Sequence, residues 1–472
     1  MNTTKPLPTI IQGGMGVAVS NWQLARAVSL RGQLGVVSGT ALDTVMVRRL
    51  QDGDPGGHMR RAMAQFPIAG VAESALERFF LPDGRNGLPY RLLPMYRRSV
   101  SRERQQLTAL ANFVEVYLAK EGHDGVVGIN LLTKVQMPNI ASLYGAMLAG
   151  VDYVLMGAGI PREVPGVLDA LSRHEAATMR FDVEGQSSAE PIFLTLDPAD
   201  LGTKTLAPLK RPAFLPIISA NSLATTLARK ANGTVQGFVV EGPTAGGHNA
   251  PPRGEMKLNE KGEPIYGERD VVDLDKLKEL GLPFWLAGGT GSPERLADAL
   301  AAGAAGIQVG TLFAFAEESG FAEHLKKDVL GHAARGEVEV ITDPRASPTG
   351  YPFKVVSWAG DETREKERVR KCDLGYLRIA FRREDGRTDY RCAAEPVDDY
   401  VRKGGNIEDT VGRKCLCNAL TSNIGQPQVR ADSIDEPPLL TSGDDLATIA
   451  SFLAGRDRYS ADDVLSYLLA AT

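Results

Sequence analysis

Eight short apolar runs recur along the chain up to residue 310, and amphipathic segments lie between them. Each run is apolar at consecutive positions rather than at alternate ones, which is typical of parallel strands covered on both faces. The runs are TIIQ (9–12), LGVVS (34–38), GVVGIN (125–130), DYVLMG (152–157), FLPIIS (214–219), GFVVEG (237–242), FWLAGG (284–289) and GIQVG (306–310). The pattern predicts eight buried parallel strands.

Helix-like stretches separate these runs. They include NWQLARAVSLRG (21–32), NIASLYGAMLAG (139–150), SLATTLARKANG (222–233) and SPERLADALAAGA (292–304). The last stretch has Ser292 as a predicted N-cap, Pro293 at the first helical position, and Gly303 at its end. Strands that alternate with helices predict an α/β protein with a (β/α)8 TIM barrel, while a doubly wound open sheet is the alternative.

Three segments depart from this alternation and set the predicted domain organisation. We expect a barrel over residues 1–335, with insertions near 50–100 and 174–212; the second insertion reads as a small hairpin. From about residue 335 the chain becomes charged and turn-rich. Residues 336–472 are therefore predicted to form a C-terminal α+β extension that contains the cysteines and is partly helical.

Composition narrows the class of protein without naming a function. The chain is 43% hydrophobic and 24% charged, with a formal net charge of −5, so it has no electrostatic reason to bind nucleic acid or an anionic membrane. Neither a secretory signal nor an apolar stretch long enough to cross a bilayer is visible. We expect a cytoplasmic protein that acts on a small molecule, either as a monomer or as a homo-oligomer.

Glycines follow the predicted strands unusually often. After the seventh and eighth strands, Gly288 and Gly289 precede one helix, and Gly310 and Thr311 open the next. Free backbone N–H groups and helix dipoles at such positions can hold an anion, and TIM barrels often bind phosphate there. Any one of these glycines is explained as well by an ordinary tight turn. Taken together, they predict a cofactor that carries a phosphate.

A histidine, His248, closes the EGPTAGGH segment that follows the sixth strand. Imidazole exchanges protons near neutral pH, so a histidine at the mouth of a barrel is a candidate general base. A histidine that only caps a turn through hydrogen bonds to the backbone is the structural alternative.

All four cysteines lie in the C-terminal extension. Clustered cysteines in a reducing compartment indicate a metal before a disulfide, and four thiolates suit structural zinc or an iron–sulfur cluster. The spacing matches no standard motif, and unpaired buried cysteines are an equal alternative. The candidate ligands are Cys372, Cys392, Cys415 and Cys417.

Several of these segments together resemble the nitronate monooxygenase family, formerly called 2-nitropropane dioxygenases. They are IIQGGMG (10–16), EGPTAGGH (241–248), FWLAGGTGSPERLADALAAGAAGIQVGT (284–311), ESG (318–320) and SPTGYPFKV (347–355). The related flavin-dependent enoyl-acyl-carrier-protein reductases share these signatures. The resemblance implies a TIM barrel that binds flavin mononucleotide (FMN).

The resemblance also implies a role for individual residues. His248 corresponds to the histidine that lies over the flavin as a general base or substrate orienter. The implied cofactor contacts are Gly14, Met15 and Gly16 beside the ring, Asn130 after the third strand, Glu241, Gly246 and Gly247 before the histidine, and Gly288, Gly289, Gly310 and Thr311 around the phosphate.

The chain departs from the family pattern in three places. Some fifty extra residues precede the third strand, YPFK (351–354) stands where the family tends to have a small residue and arginine, and the tail after about residue 357 has no counterpart in short members. These departures concern the substrate more than the cofactor.

Three functions follow as hypotheses. The first is an FMN-dependent nitronate monooxygenase, which would use oxygen to convert alkyl nitronates into carbonyl compounds and nitrite. The second is an NAD(P)H-dependent enoyl-thioester reductase, because EGPTAGGH (241–248) resembles that group at least as well. The third is a non-catalytic flavin-binding protein that assembles with a partner.

Overall fold

The computed structural model of the protein describes residues 6–187, 189–203, 206–358, 368–430 and 436–470. Its strands are β1 Ile10–Gln12, β2 Gly35–Ser38, β3 Val127–Leu132, β4 Tyr153–Gly157, β5 Ala177–Phe181, β6 Val183–Glu184, β7 Ile192–Leu196, β8 Ala213–Ile218, β9 Phe238–Glu241, β10 Phe284–Ala287, β11 Gly306–Val309, β12 Val338–Asp343, β13 Phe353–Trp358, β14 Ile379–Arg382 and β15 Thr388–Arg391.

The α-helices lie mainly between these strands. They are α1 Trp22–Leu30, α2 Leu42–Gln51, α3 His58–Met63, α4 Val71–Phe79, α5 Arg102–Lys120, α6 Asn139–Leu148, α7 Val164–Ser172, α8 Pro198–Leu201, α9 Asn221–Lys230, α10 Leu274–Lys278, α11 Pro293–Ala301, α12 Thr311–Ala314, α13 Glu323–Ala334, α14 Val397–Arg402, α15 Leu416–Asn423, α16 Ile449–Leu453 and α17 Ala461–Leu468. No helix in the described ranges is both long and apolar enough to cross a membrane.

Eight strands form one parallel sheet in the order β1-β11-β10-β9-β8-β4-β3-β2. The sheet closes on itself, because the Gln12 N–H donates to the Leu34 carbonyl (3.0 Å) and the Leu34 N–H donates to the Ile10 carbonyl (3.1 Å). The prediction of a TIM barrel is confirmed, and each of the eight apolar runs supplies one strand. An open sheet is excluded, because its first and last strands would not be hydrogen-bonded to each other.

The barrel interior explains why the runs are apolar at consecutive positions. One set of side chains packs within the barrel, with Trp285 at 0% exposure, while alternate positions face the surrounding helices. The inner cluster consists of Ile11, Leu34, Val36, Leu155, Leu215, Val239, Trp285 and Ala287. Burial on both faces makes each strand hydrophobic throughout.

The second insertion and the C-terminal extension are joined by paired strands. Within the second insertion, β5 and β7 form the expected antiparallel pair, and β6 pairs with β14 of the extension. Strands β12 and β13 form a second antiparallel pair beside the barrel. The extension is therefore tied to the barrel through backbone hydrogen bonds, and a domain boundary at residue 335 stays a prediction.

Candidate active site

A large cavity lies at the carboxyl end of the barrel strands, where TIM barrels carry their active sites. The loops that follow β1, β3, β9, β10 and β11 line it. The structure brings together at this cavity all twelve residues predicted for catalysis or cofactor binding: Gly14, Met15, Gly16, Asn130, Glu241, Gly246, Gly247, His248, Gly288, Gly289, Gly310 and Thr311. Their individual roles stay predictions.

At one end of the cavity, Asn130 crosses to the loop after β1. Its Nδ2 donates to the Gly14 carbonyl at 3.0 Å, and a Cβ on Gly14 would lie 2.2 Å from the Asn130 Cβ. The chain therefore needs glycine at position 14. Within the described residues, Asn130 Oδ1 and Gln308 Oε1 are buried without a hydrogen-bond partner, and both residues line the cavity.

At the other end, Gly288 (φ 90°) and Gly289 (φ 65°) turn the chain away from β10 in conformations that favour glycine. Among the described residues, no hydrogen bond is donated by the backbone N–H groups of Gly289 or Thr311. The start of α11 is different, because the Ser292 hydroxyl accepts from the Arg295 N–H and Asp445 accepts from the Gly291 N–H at 3.3 Å. Of the backbone N–H groups expected to hold an anion, those of Gly289 and Thr311 are thus available, while that of Gly291 is already bonded to Asp445.

His248 is held from two sides. Its Nε2 lies 2.7 Å from the Ser347 hydroxyl oxygen, and its ring packs edge-on against Phe353 with centroids 4.8 Å apart. The backbone at 247–249 pairs with 352–354, because Lys354 N–H donates to the Gly247 carbonyl and Asn249 N–H donates to the Pro352 carbonyl. Burial lowers the pKa of His248 to about 4, so the imidazole is neutral at pH 7.

Glu241 is the other titratable group on this wall. It ends β9, and within the described chain its carboxyl group has no hydrogen-bond or ion-pair partner. Burial raises the pKa of Glu241 to about 7. The side chain can therefore hold a proton close to neutral pH, whereas the neighbouring His248 does not.

Sequence reasoning missed the wall of the cavity that the C-terminal extension supplies. No local signal marks these residues, because they become neighbours of the barrel loops only through the fold. They are Tyr376, Leu377, Leu416, Cys417, Leu420, Asn423, Thr441, Ser442, Gly443 and Asp445.

The structure gives the predicted metal site no support. In the described ranges, no group of three or more His, Cys, Asp or Glu side chains could hold a metal ion, and Cys372, Cys392, Cys415 and Cys417 are free cysteines. Burial raises the pKa of Cys372 to about 12, so its thiol stays protonated. Cys415 instead accepts a hydrogen bond from Asn418 Nδ2 at 3.5 Å. The zinc or iron–sulfur prediction is therefore unsupported, and the structure shows four free thiols, of which that of Cys392 is buried.

The cavity suits the flavin that the resemblance implies. Its wall carries two kinds of group, unpartnered amide oxygens on Asn130 and Gln308 and free backbone N–H groups on Gly289 and Thr311. An amide oxygen can accept from a ring N–H, and backbone N–H groups can hold a phosphate. Asn130, Gln308, Gly289 and Thr311 are therefore the residues that would hold FMN.

Comparison with known proteins agrees with the site. Residues 177–346 match the family model described as Nitronate monooxygenase, and no curated protein matches the chain. Similar solved structures include FabK from Thermotoga maritima, with a TM-score of 0.47, 15% identity, and coverage of 99% of this chain and 93% of that chain.

Two further structures are similar to the same degree. Nitroalkane oxidase from Streptomyces ansochromogenes has a TM-score of 0.45 and 16% identity, covering 99% of this chain and 96% of that chain. The enoyl reductase domain of MlnA from the macrolactin biosynthesis cluster from Bacillus amyloliquefaciens has a TM-score of 0.46 and 11% identity, with 98% and 93% covered. Similarity of this degree says nothing about a substrate.

The family match spans the two glycine-rich loops and His248. These are the segments that the fold brings to the cavity. Residues 177–346 thus match the family model described as Nitronate monooxygenase, and the protein is a flavin-dependent oxidoreductase.

Proposed function

We propose that the protein uses FMN to reduce an uncharged, elongated substrate, and that an enoyl thioester is the class that fits best. The charge of the main cavity carries this proposal. Among the described residues, its wall includes no lysine or arginine, and its acidic groups are Glu241 and Asp445. Backbone N–H groups of Gly289 and Thr311 would hold the FMN phosphate, but a substrate anion elsewhere in the cavity would lose its hydration without gaining a cation. A neutral thioester does not face this cost.

The shape of the site supports the same class of substrate. A second cavity adjoins the first and shares Ala158, Ile217, Glu241 and His248 with it. The second cavity continues between Tyr351 and Tyr266. A small nitronate would need only the space beside the flavin, while a thioester on a long acyl or carrier arm would use both cavities.

Glu241 and His248, on the wall that the two cavities share, differ in protonation near neutral pH. When bound, the flavin supplies the hydride chemistry of the reaction. Glu241, whose pKa burial raises to about 7, holds a proton that could be delivered to the substrate carbon next to the carbonyl. The neutral imidazole of His248, fixed by Ser347, orients the substrate through its free ring nitrogen.

Nitronate oxidation is the second candidate, and the family match over residues 177–346 favours it. In that reaction the neutral His248 would orient the nitronate or accept a proton, and oxygen would be the co-substrate. The absence of a cation from the described wall of the main cavity is the argument against this candidate.

One pair of assays on the purified protein separates the two candidates. We expect a flavin absorbance spectrum, flavin reduction by NADH or NADPH without oxygen, and reoxidation by a crotonyl thioester with loss of its double bond. We expect propyl 2-nitronate to give little oxygen uptake and no nitrite. Nitrite release from the nitronate without any thioester reduction would reverse the order of the two candidates, and a colourless protein that cannot be loaded with FMN would refute both.

A further inference from the structure

A segment of the C-terminal extension lines the phosphate end of the main cavity, meaning the part beside Gly289 and Thr311 where the FMN phosphate is expected. Residues 441–445, sequence TSGDD, are here called the clasp. Four of its five residues line the cavity: Thr441, Ser442, Gly443 and Asp445. The clasp lies between the loop after β9 and the loops that follow β10 and β11.

Hydrogen bonds join the clasp to all three of these loops. The Gly247 N–H donates to Thr441 Oγ1 at 2.9 Å, and the Asp444 N–H donates to the Thr244 carbonyl at 3.0 Å. On the opposite side, the Gly443 N–H donates to Thr311 Oγ1 at 3.1 Å. The loop after β10 is joined by the bond from the Gly291 N–H to Asp445 Oδ2 at 3.3 Å.

The clasp packs so closely that it requires glycine on both sides. A Cβ on Gly246 would lie 2.8 Å from the backbone nitrogen of Gly443, and a Cβ on Gly443 would lie 2.9 Å from Thr311 Oγ1. A Cβ on Gly443 would also lie 3.0 Å from the backbone carbonyl oxygen of Thr244, and real Cβ atoms essentially never approach other atoms more closely than this. The fit is therefore a backbone-to-backbone contact rather than a loose covering.

One ion pair fastens the clasp to the rest of the molecule. Lys354, the last residue of the YPFK segment, places its Nζ 2.5 Å from Asp444 Oδ1. The lysine side chain is only 4% exposed, while that of Asp444 is 43% exposed. A lysine buried to this degree needs its partner, because an unpaired ammonium group in the interior is costly.

We propose that the clasp is a cofactor-retaining element and that Lys354 and Asp444 are its positioning residues. The element encloses the phosphate end of the cavity, so bound FMN could leave only after the clasp had moved away from Gly247 and Thr311. The proposal explains why this chain has lysine after YPF, because Lys354 pairs with Asp444 of the extension. It rests on FMN binding in this cavity and is independent of the substrate.

The test measures how fast FMN leaves the full-length protein, by absorbance of the flavin recovered in an ultrafiltrate over time. We expect Asp444→Asn and Lys354→Met each to speed release by about tenfold or more, because each breaks an ion pair that has a buried partner. The double variant should release FMN no faster than the faster single variant, since both changes remove the same contact. Asp444→Glu should restore slow release.

A matched control lies in the same extension but away from the cavity. Lys403 pairs with Glu395 at 2.8 Å, and their side chains are 25% and 4% exposed. Lys403→Met should leave the FMN release rate unchanged. If folded Asp444→Asn still binds FMN and releases it within twofold of the wild-type rate, the proposed role of the clasp is contradicted. Failure of the wild-type protein to bind FMN would instead overturn the cofactor assignment on which the clasp rests.

Discussion

At the scale of single residues, the shared wall of the two cavities combines two groups whose pKa values burial shifts in opposite directions. The pKa of His248 falls to about 4 and that of Glu241 rises to about 7. Both pKa shifts have the same cause, because the buried surroundings disfavour the charged form of each side chain. The histidine thus stays neutral and the glutamate stays largely protonated below pH 7, a pairing that suits proton transfer to a neutral substrate.

Replacement of His248 tests its role in turnover. We expect His248→Ala to lower kcat by about a hundredfold, the range typical of a lost acid–base or orienting group, and to leave FMN bound. Ser347→Ala, which removes only the hydroxyl that bonds to the imidazole, should have a smaller effect. Turnover unchanged in His248→Ala, with the flavin retained, would remove this residue from the mechanism.

Replacement of Glu241 should change the pH dependence of stability. Because the folded-state pKa is raised above the unfolded value, the folded state binds more protons between about pH 4.5 and 7, and this stabilisation is lost as the pH rises through about 7. Glu241→Gln has no carboxyl group to titrate at this position, so it does not lose stability in this way as the pH rises. The free energy of unfolding of flavin-free Glu241→Gln should therefore increase relative to wild type over that range, as measured by urea denaturation.

The histidine provides an internal check on that experiment. Its lowered pKa has the opposite consequence, since the unfolded chain binds more protons between about pH 4 and 6.5 and stability rises with pH there. Relative to wild type, His248→Ala should thus lose stability as the pH rises over this range. A difference that stays constant with pH for either variant would contradict the environment described for that group.

At the scale of elements, the loop after β9 depends on two partners that are distant in sequence. Residues 352–354 pair with its backbone, and the clasp packs against Gly246 and Gly247. Sequence reasoning located this loop, because a glycine pair and a histidine follow an apolar run. The partners could not be found in the same way, since each is an unremarkable segment until the chain folds.

Gly246→Ala tests this packing. The added methyl group would lie 2.8 Å from Gly443, so either the loop or the clasp must move, at a cost of about 1–3 kcal/mol. We expect weaker FMN binding in fluorescence titrations and a lower midpoint of thermal unfolding. Gly267→Ala is the matched control, because no atom lies within 4 Å of its added Cβ. Equal behaviour of the two variants would show that close packing at position 246 does not matter.

At the scale of the whole molecule, a buried polar cluster joins the extension to the barrel. Asp43 of α2 is 2% exposed and pairs with Arg104 of α5 at 2.7 Å, while Tyr96 and Tyr376 donate their hydroxyls to its carboxylate. Burial alone would raise the pKa of Asp43, but Arg104 and the two tyrosines hold it below its ordinary value. Tyr376 also lines the cavity, so this cluster links the site to the extension.

Asp43→Asn should be strongly destabilising. It leaves the Arg104 guanidinium buried without its counter-charge, which typically costs about 3–5 kcal/mol. Tyr376→Phe removes the hydroxyl that bonds to Asp43 and Thr44 and should cost less, about 1–3 kcal/mol. The exposed Arg173–Glu175 pair, with both side chains 56% exposed, is the control, and Glu175→Gln should change stability little. Urea denaturation measures all three, and equal losses for Asp43→Asn and Glu175→Gln would contradict the argument.

The sequence by itself determined the barrel and the location of its active end. Apolar runs and glycine pairs are local features, and strand burial and tight turns impose them wherever they occur. For this reason the sequence pattern predicted all eight strands, while the resemblance to nitronate monooxygenases supplied most of the twelve residues that line the cavity. The metal predicted at the cysteines has no support among the described residues, because spacing along a chain does not establish that thiols can surround one ion.

Tertiary structure alone decided what surrounds the barrel mouth. The ion pair of Lys354 with Asp444 and the cluster around Asp43 join segments that lie far apart in the chain. Such contacts depend on where the extension packs, and no periodicity or motif encodes that placement. The pKa shifts of His248 and Glu241 likewise arise from burial, which exists only after the extension and the barrel loops have enclosed the cavity.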